Sequence, residues 1–148
     1  MLLSRRHFVA LTSATAAAAF TGGRAVAQTE IKLAHVGKPG SLLEMTSQEF
    51  AKRANAKLGD KAKVVVYGSS QLGGDSELMK KLKLGTVELA QPSTVVSSYV
   101  PSFGVFAMPS LVKDRDHMAR IREQIVFPKM APEAEKAGYQ IIGVWENG

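Results

Sequence analysis

The chain has 148 residues, 45% of them apolar and 22% charged, with a formal net charge of +6 and no cysteine. That length supports one hydrophobic core rather than two, and the missing thiols exclude disulfides, thiolate metal sites and cysteine nucleophiles. A modest positive balance, without a run of arginines and aromatics, suits a small anionic ligand and is not a nucleic-acid footprint.

Residues 1–27 read as an export signal. Arg5 and Arg6 head a weakly apolar run from Phe8 to Phe20, and Ala25-Val26-Ala27 offers a small-residue cleavage pattern. Ser4-Arg5-Arg6-His7-Phe8 points to the twin-arginine route, although position 10 is Ala where such signals often carry Lys. The alternatives are a general secretory signal with two arginines, or a membrane anchor. The apolar run is short and alanine-rich for a bilayer span. Arg5, Arg6 and Arg24, with no acid among them, account for half of the +6 charge. Residues 28–148 then form a single unit.

Ile31 to Val36 alternates as a first strand. A turn over Gly37-Lys38-Pro39-Gly40 precedes Ser41, which stands three residues before Glu44 in a capping-box spacing. A helical stripe of Leu43, Ser47, Phe50, Ala54 and Leu58 follows and ends at Gly59. Lys63 to Tyr67 is a second, β-branched strand. A small polar turn leads to a helix over about 75–84, capped by Asp75 or Ser76 and closed by Gly85. Val87 to Ala90 reads as a third strand. Residues 95–112 are apolar but broken by Pro101, Gly104 and Pro109, which suggests a short helix and an irregular buried segment. Asp114 or Asp116 caps a helix to about Ile125, and Pro128 and Pro132 favour the first turn of another, ending at Gly138. Tyr139 to Trp145 is a last strand. The predicted class is α/β with a mainly parallel sheet.

Ligands of such sheets bind beyond the carboxyl ends of the strands. Those ends here carry His35, Lys38, hydroxyls and amides, and no evident acid–base pair. Gly73-Gly74 lacks the lysine of a phosphate loop and the spaced glycines of a dinucleotide turn, and the acid after it opposes an anion. His35 and His117 are too isolated to form a metal site; His35, at a strand end, reads either as a ligand contact or as a satisfied, partly buried histidine. Ser69-Ser70 lacks the Gly-x-Ser-x-Gly motif of a nucleophile elbow. No cofactor and no metal are expected. Phe103, Phe106 and Trp145 read as packing residues.

Ser70-Gln71-Leu72-Gly73-Gly74, Leu82-Lys83-Leu84-Gly85-Thr86-Val87-Glu88-Leu89, the proline-bounded segment Val100 to Leu111 and Phe50-Ala51-Lys52-Arg53 together resemble the substrate-binding proteins of TRAP transporters, the DctP-like family. The resemblance runs in order over nearly all of 31–148. It implies a periplasmic-binding-protein-like (type II-like) architecture of two α/β lobes, of which this chain holds mainly the first. It also implies a monomeric receptor that closes around a small organic acid and delivers it to membrane permease subunits, without chemistry on the ligand. By position it carries ligand contacts onto Gln91 and Thr94, with Ser93 between them, and sets the turn from His35 to Lys38 on the same cleft. An arginine that grips carboxylate follows an Asn-Gly sequence in the family. In this chain Asn147-Gly148 stands at that point, so the arginine is expected just beyond it. Chain 28–148 is accordingly expected to bind ligand weakly or not at all. The competing readings are a receptor serving a sensor, a small periplasmic α/β enzyme (hydrolase or isomerase), and a ligand-incompetent fragment.

Overall fold

The computed structural model describes residues 28–145. The export-signal reading of 1–27 and the candidate Asn147 lie outside the described residues. Three parallel strands form the sheet: β1 (Thr29–Ala34), β2 (Ala62–Tyr67) and β3 (Leu89–Ala90), in the order β2-β1-β3. β1 pairs with β2 from Thr29↔Ala62 to Ala34↔Tyr67, and with β3 through Leu33↔Leu89 and Ala34↔Ala90. Helix α1 (Leu42–Leu58) links β1 to β2, and α2 (Asp75–Leu84) links β2 to β3.

Adjacent strand residues point to opposite faces, and Leu33 and Ala34 show which helix covers each. Leu33 packs with Val64 and with Ala51, Phe50 and Leu58 of α1. Ala34 packs with Val87 and with Leu78 of α2. The sheet is thus covered on both faces, which is why its strands read as apolar runs. The residues of α1 that are fully buried are Ser47 and Ala51, small enough to bring helix and sheet close.

Ser41 caps α1 through a hydrogen bond from the Glu44 N–H, 3.3 Å. Gly59 and Gly85 end the two helices at positive φ (57° and 67°), as their sequence positions predict. The cap of α2 differs from expectation. Gly74 holds the cap position without a side-chain bond, and Asp75 is the first helical residue.

After β3 the chain forms 3-10 segments over Thr94–Ser98 and Pro101–Ala107. It then enters one helical run: α3 (Arg115–Ile121), a π-helical stretch (Arg122–Met130) and α4 (Ala131–Lys136). Asp114 caps α3 by accepting from the His117 N–H. Two separate helices were expected, with Pro128 opening the second. Instead Pro128 lies inside the π stretch, where the wider turn spans the donor that proline lacks.

The predicted last strand is not formed among the described residues: 139–145 pairs with no strand. A strand needs a ladder partner, and Tyr139 is committed elsewhere. It is buried against Met79, Val100 and Ala134, its hydroxyl donates to the Met79 carbonyl at 3.2 Å, and its ring meets Tyr99 edge-on at 5.9 Å. Trp145 packs edge-on against Phe50 of α1 at 6.1 Å.

Candidate functional site

The order β2-β1-β3 makes the chain leave β1 to one side and return past it to the other. The crevice beyond the carboxyl ends of β1 and β3 is therefore a topological switch point, where open α/β sheets take their ligands. Three turns line it: 35–41 after β1, 68–74 after β2 and 91–94 after β3.

His35 is the first residue past β1 and is fully buried. Its Nδ1 accepts the Gly37 N–H at 3.1 Å, and its Nε2 lies 3.0 Å from Glu44 Oε2. That second contact is close but poorly aligned as a hydrogen bond. The backbone of His35 is tied on both sides, its N–H to the Tyr67 carbonyl (3.0 Å) and its carbonyl to the Ser70 N–H (3.3 Å). A second bond between turns runs from the Ser69 N–H to the Gly37 carbonyl at 2.9 Å. Ser69 and Ser70 both take positive φ (51° and 60°), a costly conformation outside glycine that these bonds hold in place.

Gly37 and Gly68 admit no side chain. A Cβ on Gly37 would stand 2.5 Å from Ser41 Oγ and 2.7 Å from Leu43 Cβ. One on Gly68 would stand 2.5 Å from Glu44 Oε2 and 2.9 Å from the His35 ring.

Gln91 is also buried. Its Oε1 accepts from Ser47 Oγ at 2.7 Å, its Nε2 donates to Thr46 Oγ1 at 3.2 Å, and its N–H donates to the Ala34 carbonyl at 2.9 Å. Ser93 is half-buried, and a backbone hydrogen bond from it reaches the Asp75 carboxylate. Burial pushes that carboxyl above its ordinary value, against this bond, and Oδ1 is buried without a partner. Lys38 and Thr94 are exposed, Thr94 at the start of its 3-10 segment.

The fold therefore gathers His35, Lys38, Gln91, Ser93 and Thr94 at one edge, but in two layers. Lys38 and Thr94 face outward with Ser93 partly beside them, while the side chains of His35 and Gln91 lie behind the turns and bond within the chain. A direct ligand contact by the His35 ring is not available in this arrangement. Sequence reasoning missed Glu44, which looked like a capping residue only, and Asp75 as a tie between α2 and the β3 turn. The glycines in the turns after β1 and β2 were the available signal for close approach.

Two open recesses lie elsewhere, along α1. One of about 410 Å³ runs beside β2, and one of about 490 Å³ lies between α1 and Trp145. Neither touches His35, Gln91 or Thr94. Among the described residues, no group of three or more His, Asp or Glu is placed to hold a metal ion.

Residues 33–148 match the family model DctP, described as bacterial extracellular solute-binding protein, family 7. The C4-dicarboxylate-binding periplasmic protein DctP of Rhodobacter capsulatus is 29% identical over 150 residues, covering 99% of this chain and 45% of that protein. A TRAP periplasmic solute-binding protein of Sulfurospirillum deleyianum, solved with bound succinate, is 34% identical with a TM-score of 0.65 over 75% of this chain and 36% of that one. Another from Haemophilus influenzae, solved with bound L-gulonate, is 27% identical with a TM-score of 0.68 over 78% of this chain and 38% of that one. The chain spans less than half the length of these relatives.

Proposed function

Because the chain belongs to the DctP family of bacterial extracellular solute-binding proteins, family 7, we propose that it is the first lobe of an extracytoplasmic receptor of a TRAP transporter. The receptor binds a small organic acid and hands it to membrane permease subunits. It is a receptor, not an enzyme, and acts as a monomer, with hinge closure converting ligand affinity into a shape the permease distinguishes. Residues 1–27 are its export signal, of the twin-arginine type, and 28–148 belong to the lobe.

The observation that carries the reading is the family match over 33–148, together with a sheet order that places the three turns at one crevice. The amino ends of α1 and α2 open on the same edge, and the positive end of a helix favours an anion. Lys38 adds a positive charge there, and Ser93 and Thr94 add hydroxyls. Succinate and L-gulonate in the similar structures mark the ligand class as small carboxylates.

The test is thermal stabilisation of the full-length protein by a panel of mono- and dicarboxylates and sugar acids. A rise in midpoint with at least one of them is expected, because a ligand that binds only the folded state stabilises it. No shift across the panel overturns the reading. Arg5→Lys together with Arg6→Lys should abolish export, and unchanged export would exclude the twin-arginine route.

A further inference from the structure

We propose that His35 is a positioning residue. It is held by Glu44 as the tautomer with its proton on Nε2, and through Nδ1 it fixes Gly37 and so sets the two glycine-bearing turns at the crevice. The inference deepens the receptor reading by naming what shapes its mouth, and its geometry stands without a ligand.

The chemistry follows from the partners. The Gly37 N–H points at Nδ1 at 3.1 Å, so Nδ1 must offer a lone pair. A neutral imidazole then carries its hydrogen on Nε2, the nitrogen 3.0 Å from Glu44 Oε2. Glu44 has further partners: its N–H is bonded to Ser41 Oγ, and its other carboxylate oxygen accepts from Gln48 Nε2 at 2.8 Å. A small turn of that carboxylate would align the contact. A hydrogen on Nδ1 would set two donors against each other at Gly37, so the observed turn requires a lone pair there.

The ring also acts as a spacer. It fills the room that Gly37 and Gly68 leave, with the positions of their absent Cβ atoms 3.1 and 2.9 Å from its atoms. The Ser69 N–H to Gly37 carbonyl bond then passes the position of one turn to the other. A buried histidine thus connects the start of α1 to both turns, although it does not face the crevice.

The test uses the full chain labelled with ¹⁵N. The His35 ring, assigned by its loss in H35N, should show an unprotonated Nδ1 and a protonated Nε2. Exchange of the Gly37 amide with solvent should be slow, and loss of its bond should speed it about fivefold to tenfold. His35→Asn keeps an acceptor near the place of Nδ1 and should restore most of the protection. His35→Gln and His35→Leu put none there and should not. A ring protonated on Nδ1, or equal Gly37 exchange in H35N and H35Q, overturns the proposal. Measured alongside on the full-length protein, carboxylate binding separates the two ideas. If no acid binds while Gly37 exchange follows the stated order, the receptor reading fails and the positioning role stands.

Discussion

The side chain of Asn55 holds both backbone groups of Val64, its Nδ2 donating to the carbonyl at 3.0 Å and its Oδ1 accepting the N–H at 2.7 Å. Among the described residues β2 is an edge strand. Tyr67 turns its carbonyl inward to the His35 N–H, so Val64, an odd number of residues away, turns its groups outward. The amide of Asn55 therefore stands where a further strand would pair, and blocks the middle of an edge that could otherwise recruit another chain.

Asn55→Leu should destabilise the chain by about 1–3 kcal/mol, because Val64 is buried and loses two partners at once. It should also promote self-association through the opened edge. Urea denaturation gives the first quantity and sedimentation the second. A variant as stable and as monomeric as the parent would mean that water serves Val64 equally well.

Gln91 makes the equivalent tie on the other side of β1. Gln91→Leu should cost about 1–3 kcal/mol by stranding Ser47 Oγ in a buried place. Gln91→Glu should cost at least as much near neutral pH. Thr46 already gives its hydroxyl hydrogen to the Leu42 carbonyl at 2.8 Å, so it turns a lone pair toward the introduced carboxylate. Acidification should recover part of that loss, since the protonated acid has a hydrogen for Thr46. Stability curves at two pH values check the order.

The βαβα order and both glycine helix ends were legible because each rests on local periodicity or on a cap within a few residues. What was not legible depends on distant partners. Gln91 reads as a free amide until α1 is laid over it, 44 residues away from Ser47. His35 reads as a strand-end histidine until Gly37, Gly68 and Glu44 close around it. Tyr139 to Trp145 has a strand's composition, but tertiary contacts to Met79, Tyr99 and Phe50 claim its aromatics. The third strand was predicted over Val87 to Ala90 and is formed only by Leu89–Ala90, since the Lys32 N–H on that side of β1 is taken by the Glu88 carboxylate at 2.8 Å rather than by the backbone of the third strand.

Asp75 should make stability depend on pH in a direction opposite to that of most carboxylates. Burial lifts its folded value above the ordinary 3.8. The folded chain thus holds the proton more tightly than the unfolded chain. The resulting stability is fully present below pH 3.8 and is lost as pH rises through the raised folded value. Asp75→Asn keeps an acceptor for Ser93 and removes the titration. Compared with the parent, D75N should therefore fare better at pH 7 than at pH 3.5, by a small margin because the carboxyl is partly exposed. A difference that does not change with pH would show that burial does not control this group.

Alanine at Gly37 and at Gly68 should both destabilise, and unequally. Both meet atoms at 2.5 Å, so the decision lies in what can move. At Gly68 the nearest atom is the end of the Glu44 side chain, which can swing aside, leaving the ring of His35 at 2.9 Å as the fixed obstacle. At Gly37 the second neighbour is Leu43 Cβ at 2.7 Å, anchored directly to the backbone of α1, so the helix start or the turn itself must shift. Overpacking of this kind costs about 1–3 kcal/mol, and Gly37→Ala should lie at or above the top of that range, with Gly68→Ala nearer its bottom. Shortening the movable neighbour should separate the two further: Glu44→Ala should offset part of the cost of Gly68→Ala in a double-mutant cycle and none of the cost of Gly37→Ala. Equal costs at the two glycines, or equal coupling to position 44, would show that the turns relax freely and that the His35 ring does not set their spacing.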